Sequence, residues 1–236
     1  MDEFNQILPV SALKEDAKAA FYKKTYTHLA LAVLLFVVVE YIFFQIPAVV
    51  SFAFSLTEGY LWLIMLGGFM FATSYAERMA RGTKDKNMHY LGLLLYVIAE
   101  AFIFIPLIVM AMMYSESQSG DSSNLLTQAG IMTLALFTGL SAIVLVTKKD
   151  FSFLKSMLAV GFFVALGLIL AGVLFGFNLG LWFSVGMVIL AAGSILYQTS
   201  NMVHKYEEDQ YVAASLGLFA SLMLLFWYII SIFMRD

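Results

Sequence analysis

Long apolar runs, separated by short polar connections, constrain this chain more than any other feature. Segments such as 29–39, 101–113 and 216–226 are almost wholly apolar. A helix needs about 20 predominantly apolar residues to cross the hydrocarbon of a bilayer. On that measure we read seven spans, at 26–46, 60–76, 90–113, 125–146, 154–175, 179–201 and 212–233. In lipid the backbone must satisfy its own hydrogen bonds, which leaves helices or a closed barrel. Barrel strands alternate apolar and polar residues, and these runs do not. Composition agrees: 62% of residues are apolar and 12% charged, about half the charge of a soluble domain. The reading is an all-α membrane protein with seven transmembrane helices.

The basic residues supply an independent test. Lys14, Lys18, Lys23 and Lys24 precede the first span; Arg78, Arg81, Lys84 and Lys86 follow the second. Lys148, Lys149 and Lys155 follow the fourth, and Lys205 follows the sixth. The connections after the first, third and fifth spans hold no Lys or Arg, so all but Arg235 of the 13 basic residues fall on one side. Positive charge marks the cytoplasmic side, which puts the N-terminus inside and the C-terminus outside a cytoplasmic membrane. The alternation would break with one span more or fewer in the middle.

Two regions follow: a cytoplasmic tail, 1–25, and a seven-helix domain, 26–236. Within the tail, 11–26 reads as a short amphipathic surface helix, with Ser11 as N-cap and Leu13, Ala17 and Phe21 at helical spacing. The tail has no apolar core of the kind a cleavable signal needs. Segment 48–56 is too short to span, and reads as an interfacial turn or a continuation of the first helix past Pro47. The near-minimal link 176–180 makes the fifth and sixth spans antiparallel neighbours. Segment 115–124 reads as a flexible polar loop.

Ionisable groups within spans are costly, and are the natural place to seek function. Glu100, near the middle of the third span, must be protonated, paired or beside a wet cavity. Pro106, six residues on, removes a backbone donor and should kink the helix. An acid beside a kink suggests a cation or proton path; a neutral Glu bonded to a neighbouring helix is the plainer alternative. Glu40, towards the outer end of the first span, reads as snorkelling to the headgroups. His28 reads as interfacial, and His89 and His204 as loop residues too widely spaced for a metal site. Gln198, Thr199, Ser200 and Asn201 are consecutive, so at helical pitch they cannot share one neighbour. They either bridge helices or face a cavity or the cytoplasm. Small and hydroxyl residues, Ser215, Gly217, Ser221 and Ser231, suit the seventh span to close packing.

Several classes are excluded. The last span has no lysine for a retinal Schiff base. Ser141 has no histidine at depth to activate it. His-Glu-x-x-His and phosphate-binding glycine loops are absent, and the chain has no cysteine. No internal repeat suggests a transporter. We therefore expect no enzyme activity, no cofactor, no resident metal and no nucleic-acid partner.

Four groups of residues carry a family resemblance. They are Thr147-Lys148-Lys149-Asp150-Phe151-Ser152-Phe153-Leu154 with Thr133 and Phe137 before it, Tyr197-Gln198-Thr199-Ser200-Asn201 with His204, the entry to the last span at 211–219, and Glu100 with Pro106. Together these resemble the Bax inhibitor (transmembrane Bax inhibitor motif) family in its bacterial branch. The resemblance implies seven helices with the last one central, surrounded by the other six. It also implies a pH-sensitive calcium leak gated by two aspartates on the last two helices, and a link to the membrane-anchored protease FtsH as substrate or modulator. Eukaryotic members suppress cell death. Gln198 and Ser221 stand at the two aspartate positions, and neither titrates in the physiological range; Ile105 replaces the small residue before the proline. Calcium prefers several oxygen ligands with carboxylates among them, so a tight calcium site is not expected. The expectation is a passive cation leak, calcium among its candidate ions, lined by Glu100, Gln198, Thr199 and Asn201, with Ser221 at the former gate. The alternative is a non-conducting regulator or substrate of FtsH, gripped by the polar tail.

Overall fold

The computed structural model describes residues 9–82 and 85–235. Lys84 and residues 1–8 of the N-terminal tail, both used in the sequence reading, lie outside the described residues. A short 3-10 turn, Val10–Ala12, leads into eight helices: α1 (Glu15–Phe44), α2 (Pro47–Ser55), α3 (Leu61–Gly82), α4 (Lys86–Ser119), α5 (Asn124–Thr147), α6 (Leu154–Phe175), α7 (Gly180–His204) and α8 (Tyr211–Phe233). The fold of the described residues is all-α and belongs in a membrane. Six helices, α1 and α4 to α8, are long and apolar enough to cross one. In α3 the apolar stretch stops at Glu77 and Arg78, short of the usual span length.

Three local expectations need correction. The surface helix and the first span are one helix: α1 runs unbroken through residue 25, and Lys14 rather than Ser11 stands at its N-cap position. Glu15 and Asp16 occupy its first turn, where the helix dipole favours acids. Segment 48–56 is neither a turn nor an extension of α1 but a separate helix with Pro47 at its start, where a missing N–H costs nothing. Most of 115–124 is helical. α4 continues through Ser119 and ends on Gly120 in the left-handed region, φ 69°. Asp121 then accepts the Ser123 N–H at 2.9 Å, and Ser115 Oγ accepts that of Leu125.

The buried positions of α1, Phe21, Thr25, Leu29, Ala32, Phe36 and Glu40, recur every three or four residues and form one stripe. That stripe meets α4 and α8. α8 packs against α1, α3, α4, α5 and α7, and most of its residues from Val212 to Leu225 are buried. By contrast α6 buries only Ala165. Phe36, Phe104 and Phe219 bring α1, α4 and α8 together, with ring centroids 5.3 Å (36–104) and 6.4 Å (36–219) apart. Gly92 lets α3 and α4 touch backbone to backbone: a Cβ there would sit 2.6 Å from the Ala76 carbonyl oxygen.

The basic connections do gather at one end. Lys148 lies 4.0 Å from Glu15 at the start of α1. Lys24 and Arg81 lie over the rings of Tyr211 and Tyr206 in the α7–α8 region. The Val10 N–H donates to the Tyr206 carbonyl at 2.8 Å, and Pro9 bridges Glu207.

Candidate functional site

Helices α3, α4, α6, α7 and α8 enclose a cavity of about 370 Å³. Its wall is mainly apolar, with Trp62, Phe104 and Trp227 among its residues, interrupted by a few polar side chains: Glu77, Tyr96, Glu100, Ser194, Gln198, Ser221 and Tyr228. Three residues chosen from sequence, Glu100, Gln198 and Ser221, therefore meet in one space. They arrive from three helices, α4, α7 and α8.

Glu100 is buried, and the Tyr96 hydroxyl lies against its carboxyl from the same face one turn earlier. Ser221 donates to the Gly217 carbonyl at 3.0 Å and pairs with Ser194 at 2.7 Å. A hydroxyl has one proton, so Ser194 is the donor in the second bond. The Gln198 amide rests on Gly217, where a Cβ would come within 2.8 Å of its oxygen, and that oxygen has no hydrogen-bond partner.

The rest of the polar run points elsewhere, as its pitch requires. Thr199 is fully buried and meets Ser141 at 3.4 Å, with the Tyr26 hydroxyl against both. Ser200 donates to Asp150 at 3.3 Å and accepts the Phe151 N–H at 2.9 Å. This fastens the α5–α6 loop to α7. Asn201 is buried, its side-chain oxygen lacks a partner, and its carbonyl receives the N–H groups of Lys205 and Tyr206. Neither Thr199 nor Asn201 lines the cavity. Asp150 itself is held below the ordinary aspartate range by Ser152, whose backbone N–H donates to it at 2.8 Å, with Ser200 adding to the effect.

Sequence reasoning missed Glu77. It is half-buried, lines this cavity and also borders a neighbouring pocket formed with Ser74, Arg78, Arg81 and Gly82. The cavity thus has a second carboxylate at the end of α3 where the basic residues lie. The signal was present, since Glu77 stands one turn after buried Thr73, but the adjacent arginines made it look like the edge of a loop.

Glu40 also needs correction. It does not snorkel. It occupies the next position of the α1 stripe, is only 5% exposed, and neither carboxyl oxygen has a hydrogen-bond partner. His89 and His204 are helical rather than in loops, in α4 and at the end of α7. His28 Nδ1 donates to the Lys24 carbonyl at 2.7 Å, and its ring meets those of Tyr90 and Tyr211. Among the described residues no group of three or more His, Cys, Asp or Glu side chains converges as metal ligands.

Comparison with known proteins adds identity to this geometry. The chain is 27% identical to protein lifeguard 4 of Mus musculus over 235 residues, covering 97% of this chain and 90% of that protein. It is 40% identical to an uncharacterised protein of Pseudomonas aeruginosa over 114 residues, 48% of this chain and 51% of the relative. It is 37% identical to the modulator of FtsH protease YccA of Escherichia coli K12 over 101 residues, 42% of this chain and 46% of the relative. In both bacterial comparisons the match spans about half the relative's length. The family model described as Bax1-I, inhibitor of apoptosis-promoting Bax1, matches residues 18–236. The chain belongs to the Bax inhibitor family.

Proposed function

We propose that this chain is a passive cation permeability of the cytoplasmic membrane, with Glu100 as the charge in its path. The observation that carries this reading is the meeting of Glu100, Gln198 and Ser221 around one cavity. Carboxylates in a largely apolar membrane cavity offer a cation the charge and oxygen atoms it loses on leaving water. Glu77 extends that lining towards the basic end of the bundle. Calcium is the divalent candidate; with two carboxylates on the wall, binding is weak and suits passage rather than storage. Gln198 on α7 and Ser221 on α8, both on the cavity wall, form an uncharged gate that does not titrate in the physiological range. No catalytic step is assigned.

In this arrangement α3 is a short membrane crossing that brings the number of spans from six to seven, its deficit in apolar length made up by Arg78 and Arg81 reaching the headgroups. α8 is then the central helix, supported by its contacts with five others. The basic end faces the cytoplasm, with the N-terminus inside and Arg235 outside. Ion flux into vesicles reconstituted with the protein tests the proposal. Glu100→Gln should cut calcium and monovalent flux several-fold; unchanged flux would remove Glu100 from the path.

A second reading is favoured by the similarity to a modulator of FtsH: a regulator or substrate of that membrane protease, engaged through the N-terminal tail. Removing the polar N-terminal tail should abolish binding and degradation while sparing flux. Continued degradation of the shortened protein would dismiss this role.

A further inference from the structure

Glu40 is not part of the cavity, yet the packing connects it there. It lies one turn beyond Phe36 on the buried face of α1. The Phe36 ring meets Phe104 edge to face. Phe104 lines the cavity and stands one turn beyond Glu100. One helical turn on α4 from Glu100 to Phe104, the Phe36–Phe104 ring contact, and one turn on α1 from Phe36 to Glu40 thus lead from the cavity wall into the α1–α4–α8 core.

The surroundings of Glu40 offer it nothing. Both oxygens are sealed from solvent and unpartnered. α2 and α8 contain no charged residue. In α4 the titratable groups within the bundle are Tyr96, Glu100 and Tyr114; the others, Lys86, His89, Tyr90 and Glu116, lie towards its ends. In α8 they are Tyr211 and Tyr228. Tyr96, Glu100 and Tyr228 line the cavity, and Tyr114 borders the pocket at the far end of α4. On α1 itself Tyr41 is exposed, and His28 lies about three turns earlier. A carboxyl group in such a place is stable with a proton or a cation on it and unstable bare.

We propose that Glu40 is a second proton- or cation-binding carboxyl, reached from the Glu100 cavity when the Phe36–Phe104 pair parts. This rests on the cavity being an ion path, but its test does not. The protein in lipid nanodiscs is treated with a lipid-soluble carbodiimide, with and without calcium chloride, and the peptides bearing Glu40 and Glu100 are quantified by mass spectrometry. Glu40 should be modified in the wild type, and several-fold faster in Phe36→Leu, which thins the partition while keeping an apolar side chain. Slowing by calcium supports a cation on Glu40; labelling indifferent to calcium supports a proton alone. Glu40 unmodified in both proteins, whatever Glu100 does, overturns the proposal and leaves a sealed structural group. Because flux does not enter the readout, failure of Glu100→Gln to change flux would refute the path without touching this result.

Discussion

Replacing Gly92 by alanine should destabilise the protein, and the size of the effect follows from the contact between α3 and α4. The added Cβ would lie 2.6 Å from the Ala76 carbonyl oxygen, 2.9 Å from the Ala80 nitrogen and 3.1 Å from the Met79 Cβ. Two of these are backbone atoms of a helix, which cannot swing aside as a side-chain tip can. Restoring ordinary contact requires α3 to retreat by about 0.8 Å along much of its interface, because packed helices move as bodies and small residues set their approach. Overpacking of this kind costs about 1–3 kcal/mol. Against it stands the higher helix propensity of alanine, about 1 kcal/mol at an unconstrained position. The control is Gly139→Ala in α5, where an added Cβ meets nothing within 4 Å and only the propensity gain operates. Thermal unfolding in detergent, followed by fluorescence-detected gel filtration, should therefore move in opposite directions: a midpoint lowered by a few degrees for Gly92→Ala and unchanged or raised for Gly139→Ala. Equal midpoints for the two variants would refute the argument that backbone contact at Gly92 holds α3 to the bundle.

Gly217→Ala acts on a softer neighbour, since its Cβ would meet the movable Gln198 amide at 2.8 Å; we expect little loss of stability but altered flux as the amide is driven into the cavity, measured in the same vesicles. Glu40→Met replaces an unpartnered buried acid by an apolar side chain of similar volume and should stabilise by about 1–2 kcal/mol; a lowered unfolding midpoint would mean that Glu40 has a partner. Asp150, held below its ordinary value by Ser152, contributes to the α5–α6 loop at neutral pH and loses that contribution as pH falls through its lowered folded-state value. Limited proteolysis of the loop should therefore be faster in Asp150→Asn at pH 7, and the difference from wild type should close in strong acid.

Much of this architecture was legible in the chain. α6 begins and ends where the apolar run does, and the alternation of basic connections foretold the contacts that bring Lys148 to Glu15 and Lys24 to Tyr211. Periodicity is a local property, however, and it fails where depth and tertiary contact decide. Glu40 was read by its nearness to a span end, but the stripe through Phe36 carries it into the core. Glu77 was read by its charged neighbours, but the α3 face turns it to the cavity. The run from Gln198 to Asn201 told us that its members must diverge; only packing reveals that Gln198 takes the cavity while Thr199 turns to Ser141. Gly120 could end a helix by its conformational freedom, yet nothing before it in the polar segment announces that α4 persists to Ser119.

The bond from the Val10 N–H to the Tyr206 carbonyl ties the turn that precedes α1 to the connection between α7 and α8. During synthesis its acceptor emerges only after α7, so the leading segment must wait, unclasped, while nearly the whole polypeptide is made. A ribosome stalled before Tyr206 would thus present Val10 without the partner it has in the finished molecule. The clasp registers, ahead of α1, that α7 has been completed.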